Sequence, residues 1–211
     1  MKRIILADDH AYVRLGLIHI LKDGYPSAEI KEVADGETLI KEVSLHDWDL
    51  VISDLDMPGR SGLEALEQIK IMKPNLPVLI LSMYAEELYA VRVYGAGASG
   101  YLNKNSTPFE LINAVERILS GKKYVTPDLM DFLLDKKTDK NPHQTLTNKE
   151  FDIFKLLALG KTISQIAQSL SLAPTTISTH RSRIMQKFNM NTNSELTRYA
   201  ITHGIISEIS H

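Results

Sequence analysis

Strand-like runs and helically spaced apolar residues alternate along roughly the first 120 residues of the chain. Each run is short and is followed by polar or turn-forming residues, which is typical of a strand. The runs cover residues 3–7, 28–34, 50–53, 78–81 and 99–102. Between them, apolar residues recur every three or four positions, which predicts helices. The alternation predicts an α/β fold, a doubly wound five-stranded parallel sheet with helices on both faces.

Turn and capping residues support these boundaries. Gly24-Tyr25-Pro26 ends the first predicted helix, and the glycines and alanines of residues 95–98 end the fourth. Thr107-Pro108-Phe109-Glu110 combines a threonine N-cap, a proline in the first helical position and a glutamate in the third. This combination starts a helix, which is predicted to continue to about Leu119.

The C-terminal part of the chain has a different pattern. Residues 122–145 include a polar stretch without apolar periodicity at 136–142 and are interpreted as a linker, with a short predicted helix at 127–134. From Leu146 onward the pattern is helical throughout. The predicted helices cover residues 147–159, 163–170, 174–188 and 192–203. The chain is therefore predicted to consist of a first domain at 1–121, a linker at 122–145 and an all-α four-helix second domain at 146–211.

Charge separates the two predicted domains further. The formal net charge is only −2, but residues 1–121 hold 12 Lys and Arg against 18 Asp and Glu, whereas residues 143–211 hold 7 against 4. An acidic first domain and a basic second domain suggest separate tasks, with a polyanion as a partner for the second. The asymmetry alone does not identify that partner.

Composition excludes several classes of site and protein. There are no cysteines, which excludes disulfides and thiolate metal sites. Lys2 and Arg3 precede a very short apolar run that ends before Asp8, unlike a signal peptide. No apolar run approaches the roughly 18 residues that span a membrane. We therefore expect a cytoplasmic protein with no membrane partner.

Polar side chains follow four of the five predicted strands. Asp8 and Asp9 follow the first strand, Asp54 ends the third, Ser82 follows the fourth and Lys104 follows the fifth. Because the carboxyl ends of parallel strands meet at the same edge of a sheet, where ligands bind, we expect these side chains to converge.

The converging groups have the chemistry of phosphoryl transfer. Neighbouring carboxylates raise one another's pKa unless a cation is present, and their hard oxygens suit Mg²⁺. Asp54 could then act as a nucleophile, with Lys104 and Ser82 binding the phosphoryl oxygens. Each residue also has a simpler interpretation: the aspartates could cap the next helix, Lys104 could be a surface lysine and Ser82 could form a turn. The occurrence of all of them at successive strand ends favours the shared site.

These residues lie in motifs that closely resemble a response-regulator receiver domain, over residues 1 to about 121. The motifs are Asp8-Asp9-His10, the stretch from Asp54 to Gly62, Ser82, the stretch from Gly95 to Leu102, and Lys104. The resemblance implies a flavodoxin-like fold in which Asp54 accepts a phosphoryl group from a sensor histidine kinase.

The resemblance also implies roles for the surrounding residues. Asp9 and Asp54 would bind Mg²⁺ directly, Asp8 would bind it directly or through water, and the Asp56 backbone carbonyl would complete the site. Tyr101 would turn inward after Ser82 engages the phosphoryl group. The simpler alternative for Tyr101 is a half-buried strand tyrosine.

Two side chains near this site depart from the usual family pattern. Met83 occupies a place that a small residue usually holds, and it would narrow the path to Asp54. Asp56 adds a further acid near the phosphoryl group. We expect both side chains to alter the lifetime of the phosphorylated state.

The second domain contains two short helices joined by a tight turn within residues 162–177. The longer helix at 174–188 carries Ile177, Ile184, Met185 and Phe188 on one face. Its opposite face offers short hydroxyl side chains and arginines, namely Thr175, Ser178, Thr179, Arg181, Ser182 and Arg183. In a helix-turn-helix, such a face enters the major groove of DNA. A small helical bundle with a solvated basic face would show the same pattern.

Residues 146–205 resemble the LuxR-type helix-turn-helix of NarL/FixJ regulators. The resemblance rests on Leu146-Thr147-Asn148-Lys149-Glu150, Gly160-Lys161, Ile166-Ala167, Thr176-Ile177 with His180, and Lys187-Phe188. It implies base contacts by Ser178, Thr179 and Ser182, and phosphate contacts by Thr176, Arg181, Arg183 and Lys187. The last helix, Ser194 to His203, would form a dimer contact. Ala173 stands where serine usually caps the recognition helix, and Thr175 replaces a common lysine.

The leading interpretation is a two-component response regulator and transcription factor, not an enzyme that turns over an external substrate. Phosphorylation of Asp54 would control homodimerisation and binding to paired half-sites in double-stranded DNA. A phosphatase that uses Asp54 and Asp56 as nucleophile and acid is the second interpretation. Haloacid-dehalogenase-like enzymes carry a similar pair on their first strand, whereas this pair follows the third. A regulator that works without phosphorylation is the third interpretation.

Overall fold

The computed structural model describes residues 1–84, 86–127, 129–130 and 141–206. The chain forms two compact units, Met1–Asp135 and Lys136–His211, which are described separately. The first is an α/β unit and the second is helical. Among the described residues, no helix combines the length and the apolar character needed to cross a membrane.

The first unit is built on a five-stranded parallel sheet with the strand order β2-β1-β3-β4-β5. The strands are β1 Arg3–Ala7, β2 Glu29–Val33, β3 Leu50–Asp54, β4 Val78–Ser82 and β5 Gly100–Asn103. The chain passes from β1 to the edge strand β2 and then crosses back to β3, so the winding direction reverses next to β1. This order is that of a flavodoxin-like doubly wound sheet, and the prediction is confirmed.

Burial follows the position of each strand in the sheet. Every residue of β3 and β4 is buried, as expected for strands covered by helices on both faces. In the edge strand β2, only Val33 is buried, while Glu29, Lys31 and Glu32 are exposed. Charged residues of this kind protect an open sheet edge from pairing with other chains.

Among the described residues of this unit up to Leu119, four helices connect the strands and a fifth follows β5. They are α1 Ala11–Gly24, α2 Gly36–Leu45, α3 Gly62–Met72, α4 Glu86–Gly95 and α5 Pro108–Leu119. The capping residues predicted for α5 are in place: the Thr107 hydroxyl accepts from the Glu110 N–H, and the Glu110 carboxylate accepts from the Thr107 N–H. Ser61 and Glu64 form the same reciprocal cap at α3. These caps satisfy backbone donors that the first helical turn leaves unpaired.

Over residues 141–206, the described part of the second unit, a 3-10 turn at Pro142–Thr145 precedes four helices, as predicted. They are α6 Asn148–Ala158, α7 Ile163–Ser169, α8 Pro174–Phe188 and α9 Asn193–Thr202. Reciprocal threonine caps start α6, α7 and α9. Ala173 is the N-cap of α8 and provides no side-chain hydrogen bond, which removes about 1 kcal/mol of stabilisation from that helix end.

Aromatic side chains fill the core of the second unit. The Phe188 ring lies between Phe154 and Tyr199, with 4.9 Å between ring centroids on each side. His143, from the 3-10 turn, is buried, and its Nδ1 lies 2.9 Å from the Tyr199 hydroxyl oxygen. The 3-10 turn therefore packs with the helices that follow it.

The segment predicted as a linker, residues 122–145, contributes to the core at both ends. Tyr124 belongs to the hydrophobic core of the first unit, and His143 packs in the second. Residues 127, 129 and 130 have helical backbone. The rest of the helix predicted at 127–134 lies outside the described residues.

Candidate functional site

The parallel register brings the ends of four strands to one edge of the first unit. Asp54 pairs with Leu81 and Ser82 pairs with Asn103, so β3, β4 and β5 end at the same level. Asp8, which directly follows β1, is 1 % exposed, and Asp54 is 3 % exposed. These carboxylates are therefore largely removed from water.

Lys104 lies between the two buried carboxylates. Its Nζ is 2.6 Å from Asp8 Oδ2 and 2.6 Å from Asp54 Oδ2, and its side chain is 8 % exposed. The Lys104 N–H donates to the Ser82 carbonyl at 2.8 Å, which fixes the point where the lysine leaves β5. A surface lysine would be solvated, so the simpler interpretation of Lys104 is wrong for this structure.

Burial and the contact between Lys104 and the carboxylates have opposite effects on the pKa values at this site. Burial raises the pKa of Asp54 to about 6, because its charged form loses hydration; Lys104 opposes this rise and Asp8 adds to it. Burial alone would lower the pKa of Lys104, but its hydrogen bonds to Asp54 and Asp8 outweigh burial and raise the pKa. The ionised form of Asp54 therefore depends on a neighbouring cation.

The turn after Asp54 brings helix α3 against the site. The Leu55 N–H donates to the Leu81 carbonyl at 2.9 Å, and the Gly62 N–H donates to the Leu55 carbonyl at 2.8 Å. A Cβ on Gly62 would lie only 1.9 Å from the Asp54 carbonyl oxygen, so a larger residue would push the helix away. Gly59 has a φ of +73°, in the left-handed region that glycine adopts without strain.

A cluster of four residues that includes Asp54 has suitable ligand atoms for a divalent cation. One ligand atom from each of Asp8, Asp9, His10 and Asp54 lies within 4.8 Å of the others. His10 is the most open of them, with 66 % of its side chain exposed and its Nδ1 2.7 Å from Asp9 Oδ1. Carboxylate oxygens at an open strand end fit Mg²⁺, which takes one or two carboxylates and keeps several waters.

The helix-capping interpretation of the two aspartates is not what the structure shows. The N-cap of α1 is His10, which makes no side-chain capping hydrogen bond. Asp8 Oδ1 accepts from the His10 N–H at 2.8 Å, outside the helix. The aspartates instead face the cluster.

Ser82 and Tyr101 are linked through the loop after β4. Ser82 Oγ accepts from the Tyr84 N–H at 3.1 Å, as in the turn-forming interpretation, and the residue is buried. The Tyr101 hydroxyl donates to the Tyr84 carbonyl at 2.8 Å. Tyr101 is 0 % exposed, so the half-buried alternative is wrong and the ring already points inward.

Asp56 and Met83 are both exposed beside the buried residues. The Asp56 N–H donates to Asp54 Oδ1 at 3.3 Å, and the Asp56 residue itself is exposed. Met83, the residue after Ser82, is 61 % exposed. Both side chains lie at the opening of the site, and their expected effect on the lifetime of the phosphorylated state stays a prediction. The metal contact of the Asp56 carbonyl stays a prediction.

In the second unit, α8 separates an apolar face from a polar face as predicted. Ile177, Ile184, Met185 and Phe188 are buried. The exposed residues include the hydroxyl side chains and one arginine of the predicted contact face, namely Thr175, Ser178, Thr179, Ser182 and Arg183. Thr176 is partly buried at the start of this face.

The hydroxyls of two candidate base readers are engaged by their own helix. Ser178 Oγ donates to the Pro174 carbonyl and Thr179 Oγ1 donates to the Thr175 carbonyl, both at 3.0 Å. Such backbone contacts are common for these residues in helices. In this arrangement the oxygens present lone pairs, which suit donors on base edges such as the amino groups of adenine and cytosine.

Two of the candidate phosphate contacts have partners within the second unit. Arg181 is partly buried, and its Nε donates to Asn193 Oδ1 at 2.9 Å. Lys187 Nζ lies 2.6 Å from Glu150 Oε2, whose side chain is only 5 % exposed. Burial would raise the pKa of Glu150, but the hydrogen bond from Lys187 and the cap at Thr147 outweigh it and lower the pKa.

Sequence reasoning missed the contributions of three residues. His10 could have been included, because it directly follows the paired aspartates. The Tyr84 carbonyl accepts from the Tyr101 hydroxyl, and the Tyr94 hydroxyl accepts from the Tyr101 N–H. No sequence motif indicates such contacts.

Comparisons with known families match both units. Residues 4–116 match the response regulator receiver domain, and residues 144–200 match the luxR family of bacterial regulatory proteins. The first match covers the cluster around Asp54, and the second covers α8.

Individual relatives match almost the whole chain. The chain is 31 % identical over 209 residues to Response regulator UvrY of Escherichia coli K12, covering 97 % of this chain and 96 % of UvrY. It is 35 % identical over 214 residues to Oxygen regulatory protein NreC of Staphylococcus carnosus, covering 97 % and 99 %. Among solved structures, a complex of the two-component response regulator RcsB with DNA has a TM-score of 0.59 and 26 % identity, covering 94 % and 96 %.

Proposed function

The chain belongs to the NarL/FixJ-type response regulators, transcription factors with a receiver domain and a LuxR-type helix-turn-helix, and we propose that phosphorylation of Asp54 controls its DNA binding. The family consists of regulators and not of enzymes that turn over an external substrate. The observation that carries the proposal is the buried pair of carboxylates joined by Lys104. A phosphoacceptor site requires a buried nucleophile, a fixed cation and an open cluster of side chains that can bind a metal ion.

The proposed step is the transfer of a phosphoryl group from a sensor histidine kinase. An oxygen of Asp54 attacks phosphorus on the phosphohistidine, the P–N bond breaks, and the imidazole nitrogen keeps the bonding electrons and takes a proton. The ionised form of Asp54 is the nucleophile, and Lys104 favours that form. Reversal to free aspartate follows when water attacks the acyl phosphate and releases inorganic phosphate.

Asp8, Asp9 and Asp54 would hold Mg²⁺ at this edge, with the Asp56 carbonyl and with His10 nearby. Bound there, the ion would neutralise charge on the phosphoryl oxygens. The cluster is open to solvent on the side of His10, whose side chain is exposed. Lys104 contacts one oxygen of Asp8 and one of Asp54, so the ion would share both carboxylates with this lysine.

Lys104 and Ser82 would respond to the new phosphoryl group. Lys104 contacts Asp54 Oδ2 before transfer, so its ammonium needs little movement to meet a phosphoryl oxygen. Ser82 would donate its hydroxyl proton to a second oxygen, while Tyr101 stays inward on the Tyr84 carbonyl. The added charge of the phosphoryl group would in this way favour one arrangement of the loop after β4.

The polar face of α8 would bind the major groove of double-stranded DNA. Ser178, Thr179 and Ser182 are the proposed base readers, and Thr176, Arg181, Arg183 and Lys187 are the proposed phosphate contacts. Of the four, Arg183 is the most available, because Arg181 and Lys187 are hydrogen-bonded within the domain. The solved RcsB–DNA complex supports the assignment of DNA as the partner.

We also propose that the phosphorylated protein is a homodimer that binds paired half-sites, with α9 as part of the contact. An isologous pair of recognition helices would span sites about one helical turn apart. A DNA-bound regulator that receives its phosphoryl group from a kinase is expected to work in the cytoplasm.

Incubation with Mg²⁺ and acetyl phosphate, followed by intact-mass measurement, tests the phosphoryl transfer. We expect one added phosphoryl group on the full chain, none on Asp54→Asn, and normal labelling of Asp23→Asn, a control at an exposed carboxylate of α1. Labelling of Asp54→Asn at the wild-type level would refute Asp54 as the acceptor. If the wild type is labelled but Asp54→Asn regulates normally, the regulator works without phosphorylation.

A further inference from the structure

A cavity of about 560 Å³ lies at the edge of the sheet opposite Asp54. Its lining includes residues that directly precede four of the five strands, namely Lys2, Asp49, Pro77 and Ser99. The C-terminal ends of α3 and α5 contribute Lys70 and Leu119. The volume lies within the range of roughly 300–1,000 Å³ that small-molecule sites occupy. We call this space the amino-edge cavity.

Positive charge is concentrated in the amino-edge cavity, although residues 1–121 hold 18 Asp and Glu against 12 Lys and Arg. The charged residues described in its lining are Lys2, Lys70, Lys122, Lys123 and Asp49. Asp49 already has two donors, because its Oδ1 lies 3.4 Å from Lys2 Nζ and its Oδ2 accepts from the Arg3 N–H at 2.7 Å. Among the described residues, no carboxylate pairs with any of the other three lysines. The cavity therefore has an excess of uncompensated positive charge.

Lys70 is held in place by its neighbours and keeps a donor for a ligand. Its Nζ donates to the Leu76 carbonyl at 2.6 Å and to the Pro74 carbonyl at 3.3 Å. Because an ammonium has three N–H donors, one remains. The stem of Lys70 packs on Gly97, where an added Cβ would lie 3.3 Å from Lys70 Cγ. The φ of Gly97 is +96°, a value that glycine adopts without strain.

The second fixed cation of the cavity is Lys123. The Arg117 Nε donates to the Lys123 carbonyl at 2.9 Å, which fixes the backbone after α5. Burial, followed by the charge of Lys123, lowers the pKa of the partly buried Lys70. The two ammoniums therefore repel each other, and an anion bound between them would remove this repulsion.

Ser99 adds a neutral donor to the same lining. The residue is half-buried, and its hydroxyl has no hydrogen-bond partner among the residues that the structure describes. A hydroxyl beside several ammoniums can donate to an anionic oxygen. The lining thus combines separated point charges with one short donor.

We propose that the amino-edge cavity binds an oligophosphate, a chain of phosphoryl groups such as inorganic tripolyphosphate or the triphosphate of a nucleotide. Lysines bind phosphoryl oxygens as point charges, and several separated ammoniums suit an anion whose charge is distributed along a chain. An isolated carboxylate is recognised better by the fork of an arginine, and the described lining residues include no arginine. The cavity takes no part in phosphoryl transfer to Asp54, so this inference is independent of the proposed function.

Compensation of the helix ends is the competing explanation. Lys70 lies in the last turn of α3, and Lys122 and Lys123 follow the end of α5, where cations stabilise the partial negative charge of the helix. In that case substitution of these lysines would change stability alone. An oligophosphate would then bind no more tightly than orthophosphate does.

The test is a titration of the full chain with sodium tripolyphosphate, without Mg²⁺ and at low salt, followed by NMR at the amides of Gly97 and Gly121. These amides border the cavity and distinguish it from the basic face of α8. Lys70→Met and Lys123→Met should each weaken binding about tenfold, the lower end for a hydrogen bond to a charged group. Lys41→Met, at an exposed lysine of α2, is the control for charge and should change affinity by less than about twofold.

Two lysine variants keep the test decisive if one of them folds poorly. Lys70→Met also loses two contacts with backbone carbonyls, whereas the Lys123 side chain is exposed and its removal should leave the melting temperature close to that of wild type. Tripolyphosphate should cause larger shifts at Gly97 and Gly121 than those of residues on α8. Wild-type affinity in a folded Lys123→Met variant, or shifts confined to α8, would overturn the proposal.

Further probes identify which part of the ligand is recognised. Orthophosphate and adenosine should bind at least about tenfold more weakly than tripolyphosphate, since neither provides a charged chain for several lysines. ATP that binds as tightly as tripolyphosphate would support recognition of the phosphate chain, and tighter binding of ATP would support a nucleotide as the occupant. Orthophosphate that binds as tightly as tripolyphosphate would overturn the proposal, as would binding of neither tripolyphosphate nor ATP.

Discussion

The acidic edge of the receiver domain and the polar face of α8 hold their functional side chains in opposite ways. At the edge, Asp8, Asp54 and Lys104 are almost inaccessible to water and contact one another. On α8, Ser178, Ser182 and Arg183 are exposed. The functional groups of the first region are therefore fixed by one another inside the fold, whereas those of the second region are exposed on the surface of a helix.

The difference follows from the tasks that we propose for the two regions. Phosphoryl transfer requires a nucleophile and a cation in fixed positions, and such positions come from burial at the ends of strands. Reading DNA requires side chains that reach out from a rigid helix. Substitutions at the acidic edge should therefore change both stability and function. Substitutions on the polar face of α8 should change function with little effect on stability.

Removal of the central cation at the acidic edge should have the largest effect. Lys104→Met leaves Asp8 and Asp54 buried without their shared partner, and we expect the free energy of unfolding at pH 7 to fall by about 3 kcal/mol. Urea unfolding followed by the fluorescence of Trp48, the one tryptophan of the chain, reports on the receiver domain. Lys41→Met, at an exposed lysine of α2, should change stability by less than about 0.5 kcal/mol. Equal losses in the two variants would contradict a tightly coupled buried cluster.

A substitution of Lys187 tests whether stability and function are separable throughout α8, because the Lys187 ammonium contacts a buried glutamate. Lys187→Met leaves the Glu150 carboxylate without its cationic partner, and we expect a loss of about 1–2 kcal/mol in the stability of the second domain. The folded-state pKa of Glu150 is lowered, so the pair stabilises the fold above the unfolded-state pKa and loses this effect as pH falls through the folded-state pKa.

Thermal unfolding by circular dichroism at neutral and acidic pH measures this effect, with Trp48 fluorescence identifying the receiver transition. The difference between Lys187→Met and wild type should shrink below the ordinary glutamate pKa of 4.5. Lys161→Met, at an exposed lysine, is the control. A difference that persists unchanged in acid would show that Lys187 stabilises the domain without its charge.

The two arginines of α8 allow DNA binding and stability to be compared within one helix. Arg183→Ala should weaken DNA binding by about 1 kcal/mol and reduce the salt slope by about 0.9, the value for one phosphate contact, with little loss of stability. Arg181→Ala should also lower stability, because it removes the contact with Asn193. Fluorescence anisotropy across a salt series, with melting temperatures for both variants, distinguishes them. Identical stability in the two variants would refute the structural role of Arg181.

The smallest effects are expected from the exposed residues at the opening of the acidic edge. Met83→Ala should shorten the lifetime of the phosphorylated state by opening a path for water, and Asp56→Asn should lengthen it by removing a like charge. Both changes should stay below about tenfold, a barrier change of less than about 1.4 kcal/mol. The decay of phosphorylated protein, followed by intact mass, measures the rates. Agreement of both variants with wild type would exclude these roles.

Much of the architecture was predictable because local patterns and tertiary packing agree. The strand runs, the capping residues at Thr107 and the buried face of α8 each appear at the predicted positions. Parallel strand ends also predicted a meeting place for Asp8, Asp54 and Lys104. The spacing of apolar residues and the positions of the strand ends are enough to predict these features, because the features depend on which face of each element is buried.

The features that escaped prediction depend on partners distant in sequence. The sequence around Lys187 does not indicate its contact with Glu150. The Tyr84 carbonyl accepts from the Tyr101 hydroxyl, and the Tyr94 hydroxyl donates to the Tyr124 carbonyl, so both tyrosines depend on residues well separated from them in sequence. The same reason explains why residues 123–126 were interpreted only as linker. They stand just before the polar stretch at 136–142 on which the linker was predicted, and their pairing with β5 is a consequence of the folded sheet.

Selection of bound duplexes from a randomised DNA library by the full chain, with and without acetyl phosphate and Mg²⁺, tests the central claim most directly. We predict that the phosphorylated wild type enriches paired half-sites and that neither the untreated protein nor treated Asp54→Asn does so to a comparable degree. Equal enrichment of the same sites by treated Asp54→Asn and treated wild type would contradict control of DNA binding by phosphorylation of Asp54.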